Sequence, residues 1–274
     1  MHPKYLMWLL PLGGSLMGQT QIGGGTCNSS SLNGAYTFTL AGRQVATSGA
    51  FTGVFQANGT TTFDGTNKVT MTMNAATAQA AGTNLTYSGT YSVQANCAGS
   101  ISITAGDTAT FNLLIYNQGK SFLITGSDAS YDYSGGGSTQ PATCMTSLLS
   151  GVYVFSANGF TLASGTISSV RNASGLMQLD GHGSMIVNFT SLAPGQSALT
   201  LAITGSYALP NGCAGTGALS DSLGNTYTVG FTVSASSAVS TSGFDVVISQ
   251  PGKLLFTGTA HAVYGQPTAA GGAE

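Results

Sequence analysis

The chain has 274 residues, of which 5% are charged and 42% hydrophobic, with 40 glycines and a formal net charge of −2. Its six Lys and Arg residues are scattered, which excludes a nucleic-acid partner, because phosphate binding needs clustered cations. Glu274 is the only glutamate and lies at the C-terminus, which excludes a Glu-based acid and base pair.

The first residues read as an export signal over 1–19. Lys4 supplies positive charge, Tyr5 to Leu12 form an apolar run, and Gly13 to Gly18 offer small residues for cleavage. That run is too short to span a bilayer as a helix, so no transmembrane segment is expected. The chain is expected in a secreted or periplasmic, oxidising location.

Next comes an internal duplication. Leu32, Gly34, Tyr36 and Phe38 follow Cys27 at the offsets at which Leu149, Gly151, Tyr153 and Phe155 follow Cys144. Further on, the segment from Gly89 to Ser100 answers that from Gly205 to Thr216, with Tyr91 and Tyr207 each six residues before a cysteine. The cysteine separations are 70 and 69 residues. A repeat of this length predicts two copies of one domain, at 20–136 and 142–266, joined by a linker at 137–141 and followed by a disordered tail at 267–274. The matched spacing predicts the disulfides Cys27–Cys97 and Cys144–Cys213, one within each domain.

Within the first copy, period-two alternation predicts seven strands: Ala35 to Leu40, Ala50 to Gln56, Lys68 to Met73, Leu85 to Val93, Ser100 to Thr104, Thr110 to Tyr116 and Ser121 to Thr125. Asn58-Gly59 and Asp64-Gly65 are read as hairpin turns, and Gln118-Gly119 as another turn. Asn74 to Gly82 reads as a short helix or a loop tip, and Ser134 to Pro141 as a flexible linker. The second copy repeats the plan. Matching Gly252-Lys253 to Gly119-Lys120 gives it an insertion of about 17 residues around Ser234 to Gly243. The fold expected is all-β, two tandem antiparallel barrels, with a barrel-like sandwich as competitor, because closure buries one apolar face and removes strand edges.

The Leu-x-Gly-x-Tyr-x-Phe opening, the Phe63-Asp64-Gly65 turn and the Gly89-to-Val93 element before Cys97 resemble secreted bacterial repeats with a lipocalin-like or allene-oxide-cyclase-like barrel. The resemblance implies a calycin-type barrel and brings no catalytic residue, since none of the cyclase positions matches this chain.

The remaining titratable residues point to no chemistry. Asp64, Asp107, Asp180 and Asp221 read as turn residues. Asp128 and Asp132 lack the oxygen density of a calcium loop. His182 reads as a turn residue and His261 as a surface one, and with the cysteines paired they are too few for zinc, so no metal or cofactor is expected. The function expected is a non-enzymatic binding or surface-interaction module for a small apolar or glycan ligand. The alternatives are a cyclase-like isomerase and a self-assembling structural exoprotein. Whether the interiors are hollow or filled separates these readings, since a filled barrel holds neither ligand nor substrate.

Overall fold

The computed structural model describes residues 26–45, 51–141, 144–164, 166–236 and 241–263. The expected signal and tail lie outside these residues, as does the centre of the expected insertion. The first copy contains β1 (Asn33–Val45), β2 (Phe51–Asp64), β3 (Lys68–Thr77), β4 (Ala81–Val93), β5 (Ala98–Ala105), β6 (Ala109–Tyr116), β7 (Ser121–Ser127) and β8 (Asp132–Thr139). The second contains β9 (Ser150–Ala163), β10 (Thr166–Asp180), β11 (Ser184–Leu192), β12 (Leu199–Asn211), β13 (Ala214–Asp221), β14 (Thr226–Ser236), β15 (Thr241–Gln250) and β16 (Leu254–Ala262). Each set is a closed barrel of consecutively paired antiparallel strands, sealed by β1 on β8 and by β9 on β16. The barrel expectation therefore holds over the sandwich. The disulfides are Cys27–Cys97 and Cys144–Cys213, one per barrel.

Alternation explains which face is inside. Strand β6 runs buried, exposed, buried throughout, placing Ala109, Phe111, Leu113 and Ile115 inward, and β11 does the same with Met185, Val187 and Phe189. The first interior is closed at one end by Tyr36, Phe63, Tyr91 and Phe122, which meet edge to face at centroid distances of 4.9–5.7 Å. Their hydroxyls are satisfied by backbone: Tyr36 donates to Gly119 O at 2.7 Å, and Tyr91 donates to Ser29 O and Leu32 O. This accounts for the tyrosine repeated before the second cysteine, since Tyr207 likewise uses its hydroxyl at the closed end of the other barrel, accepting from Gly181 N. The outer faces carry mostly Ser, Thr and Asn, the reverse of a barrel that faces lipid. No helix among the described residues is long and apolar enough to cross a membrane.

The Asp-Gly turns are as expected. Asp64 Oδ1 accepts from the backbone N–H groups of Thr66, Asn67 and Lys68, and Asp180 Oδ1 from those of His182, Gly183 and Ser184. These bonds favour the ionised form and hold both carboxyls well below the usual aspartate range.

Three expectations are corrected. Asn58 and Gly59 lie inside β2, opposite Asn74 and Met73, rather than in a turn. Gly59 is there for close packing, because a Cβ would stand 2.1 Å from Thr72 O. Asn74 to Thr77 belong to β3 and Ala81 opens β4, so that stretch is a hairpin and not a helix. Residues 134–139, expected to lead into and form the linker, are part of β8, which pairs with both β1 and β7 and closes the first barrel.

The ladders also revise the alignment of the copies. Ile115 N donates to Cys97 O, and Val233 N to Cys213 O, which makes these residues equivalent. Following the pairings, Phe122 corresponds to Phe244 and Gly137 to Ala260. Gly137 follows Cys97 by 40 residues and Ala260 follows Cys213 by 47, so the second copy is seven residues longer here rather than about 17. Gly252 occupies the β15–β16 connection, whose counterpart lies between β7 and β8 and not at Gly119.

The barrels pack side by side. Val54, Ala76 and Ala78 of the first meet Leu162, Val247 and Leu255 of the second in a small shared core. Asn58 Nδ2 donates across it to Gly230 O at 3.0 Å and Asp245 O at 3.2 Å, and Asn74 Nδ2 donates to Gly215 O at 2.9 Å.

Candidate functional site

Side chains fill most of both interiors, leaving a cavity of about 40 Å³ near one end of the first barrel, and the wider groove lies on the outer surface. Beside the shared core, a groove of about 340 Å³ runs between the outer face of β1, β8 and β7 and the strand β15. Its lining includes Thr37, Thr39, Ser138, Tyr116, Leu123 and Asp245. A volume of this size falls in the range of small-ligand sites.

The groove follows from the strand registers. Thr39, Gly136 and Leu123 stand in one row across β1, β8 and β7, with Thr37, Ser138 and Ser121 in the next outward row. Gly136 lies between Thr39 and Leu123, and a Cβ there would stand 2.7 Å from Phe122 O and 2.9 Å from Leu123 Cδ2, so at this point the groove is lined by bare backbone with the Leu123 methyl close against it. Tyr116 and Leu123 are 51% and 50% exposed, offering an apolar and aromatic wall. Thr37, 2% exposed, is pinned by a 3.5 Å bond from its hydroxyl to Ser138 O.

Asp245 supplies the charge. It faces outward between the inward Phe244 and Val246 and is half-buried at the junction. Desolvation pushes its carboxyl up to about 6, and the nearby charge of His261 opposes that rise. His261 lies on the adjacent strand: Asp245 pairs with Thr259, and His261 is the next outward position. By the revised alignment Asp245 occupies the place held by Leu123 in the first copy, so equivalent strand positions from the two barrels meet the same groove with unlike chemistry.

No family model matches the chain, and no curated protein matches it. The site therefore rests on its geometry.

None of the histidines and aspartates weighed from sequence lines the groove, though His261 stands on the strand next to Asp245. His182 is an exposed turn residue whose Nδ1 lies 2.9 Å from Asp180 O. Asp128 accepts from Ser130 N, Tyr131 N and the Tyr133 hydroxyl. No group of three or more His, Cys, Asp or Glu residues able to hold a metal occurs among the described residues. Sequence reasoning missed Asp245 as a site residue, because a lone aspartate inside an apolar strand carries no motif. The available signal was its alternation phase, which puts a carboxylate on the outer face of a strand otherwise rich in Val and Ile. It also missed Arg171, which points into the second barrel, is 5% exposed, and is held by Ser191, Gln196 and Ser197 rather than by a carboxylate.

The position of Asp245 sets a pH dependence. Its folded pKa lies above the ordinary value of 3.8, so the folded protein holds the proton more tightly than the unfolded chain. Stability from this group therefore declines as pH rises from about 4 to about 6 and stays lower above that. Asp245→Asn is expected to raise stability by about 1–3 kcal/mol at pH 8 and to leave it nearly unchanged at pH 4. Urea denaturation of both proteins at the two pH values checks this, and an equal effect at both would refute the assignment.

Proposed function

We propose that this protein is an exported, non-enzymatic binding module whose inter-barrel groove takes a short glycan. The observation that carries this reading is the combination in one groove of a costly half-buried carboxylate, an exposed tyrosine and several hydroxyls. Carboxylates accept hydrogen bonds from neighbouring sugar hydroxyls, aromatic faces stack on the C–H face of a pyranose, and Thr and Ser hydroxyls serve as donor or acceptor. A group that lowers stability at neutral pH and lies in a cleft is a functional candidate on physical grounds. The two disulfides are compatible with an oxidising compartment, and the reading places the protein outside the cytoplasm.

The alternatives draw less support. A cyclase-like enzyme needs an internal chamber for its substrate, and the cavity of about 40 Å³ described inside the first barrel is small for one. Edge-to-edge assembly needs free strands, and closure removes them.

The test is a titration of the mature chain with cellobiose, chitobiose, maltose and N-acetyllactosamine, followed by NMR at the Leu123 methyl groups. At least one disaccharide is expected to shift them saturably, with Asp245→Asn and Tyr116→Ala each weakening it about tenfold or more. Unmoved Leu123 signals across the panel at millimolar sugar would refute the glycan reading.

A further inference from the structure

A second site, independent of the groove, lies at the end of the first barrel away from its disulfide. The closed end is packed with four aromatic rings, but at the opposite mouth a cavity of about 40 Å³ remains. Its walls are Phe55, Tyr87, Phe111 and Tyr133, and Met71 and Met73 also line it. Tyr133 anchors the wall, with its ring 5.2 Å from Phe55 and 5.8 Å from Phe111. Phe55, Tyr87 and Tyr133 are only half-buried, so the mouth reaches solvent.

Two carboxylates, Asp107 and Asp128, line the same cavity. Asp107 is exposed on the β5–β6 turn, where its Oδ1 accepts from Thr108 N. Asp128 is held in place by two backbone N–H groups and the Tyr133 hydroxyl. Burial raises the Tyr87 and Tyr133 phenols most, followed by the charge of Asp107 at Tyr87 and by the hydrogen bond and charge of Asp128 at Tyr133. Among the described residues, no Lys, Arg or His lines the cavity to balance the two carboxylates.

The second barrel shows what fits at this level. Phe55 and Arg171 each lie nine residues before their Asp-Gly turn and pair with Gly42 and Gly159, respectively. Tyr87, Phe111 and Tyr133 are replaced there by Ile203, Val229 and Phe256. The second copy thus places its own cation, the Arg171 guanidinium, at the level where the first has an aromatic cavity rimmed by carboxylates.

We propose that the mouth of the first barrel is a binding cage for a small organic cation, specifically a methylated ammonium group. Aromatic faces attract a cation through their ring quadrupoles, and a methylated ammonium also gains from apolar contact with Met71 and Met73 while shedding little hydration. A hydrated metal ion would lack the oxygen ligands it requires. The cavity is too small for a lipid-sized molecule, so the methylated group would seat at its open mouth with the rest of its bearer outside.

The probe is choline, compared with 3,3-dimethyl-1-butanol, its neutral isostere, on full mature chain labelled at the methionine methyl groups. Choline is expected to shift the Met71 and Met73 methyl signals saturably, with the isostere at least about tenfold weaker. Asp107→Asn, at an exposed turn, is expected to weaken choline several-fold while keeping the methionine spectrum of the folded barrel. Phe55→Leu is expected to weaken it further. Equal affinity for the two probes would overturn the cation assignment in favour of a plain apolar pocket, and absence of any shift would overturn the site itself. Asp245→Asn is expected to leave choline binding unchanged, so failure of the groove reading and failure of this one are separable.

Discussion

Gly137→Val is expected to stop the first barrel from closing, at a cost of about 4 kcal/mol or more. A Cβ at this position would stand 2.3 Å from Thr37 O and 2.7 Å from the tip of the Phe122 ring. The first contact is backbone and cannot rotate away. The second is a fully buried ring in the four-ring cluster. Relief therefore requires β8 to leave β1, β7 or both, which opens the ladder and exposes two strand edges. Guanidinium denaturation followed by near-ultraviolet circular dichroism of the tyrosines is the measurement. A midpoint close to that of the parent would show that the barrel does not depend on this approach. The second barrel provides the contrast, since its equivalent residue is Ala260, and Ala260→Gly should cost only about 1 kcal/mol.

Replacing Cys27 and Cys97 together by serine is expected to destabilise the first barrel by about 4 kcal/mol, and the same change at Cys144 and Cys213 to do as much to the second. Each bridge closes a loop of about 70 residues, so it removes a large share of the freedom of the unfolded chain. It also ties the segment preceding the first strand to the β4–β5 connection, where Cys27 N already reaches Ala95 O. This is the end of the barrel under Tyr36 and Tyr91, so the bridge holds the plug whose hydroxyl bonds complete the core. Denaturation of the two double mutants, each compared with the oxidised parent protein, tests this. A loss of less than about 1 kcal/mol in either would mean that the tyrosine cluster alone secures that end.

Scaffold and site were unequally legible in the sequence. Alternation, the Asp-Gly turns and the matched cysteines report local geometry, so strand content and both disulfides could be read directly, and consecutive hairpins favoured the barrel over its sandwich competitor. The glycines were harder, because a glycine marks either a turn or a close approach and the chain does not say which. Asn58-Gly59 has the composition of a hairpin and lies in mid-strand, since its asparagine serves the other barrel. Ser134 to Thr139 has the composition of a linker and closes a barrel, since only small residues fit against Phe122. The Lys253 mismatch arose because two turns of similar sequence fall at different places in the strand order. The groove could not be read at all: it joins outward positions of β1, β7, β8 and β15, which alternation marks only as exposed. His261 reads from the sequence as a surface residue, and its neighbour Asp245 acquires meaning only through the barrel junction.

The amides of Asn58 and Asn74 grip main-chain oxygens of the second barrel, at Gly230, Asp245 and Gly215, rather than its side chains. A joint of this kind recognises the path of a strand and is indifferent to most of what the strand displays. The outer face of β15 can then exchange one side chain for another without loosening the two halves. Asp245, whose carbonyl is held while its carboxylate stays available to the groove, is where that freedom has been spent.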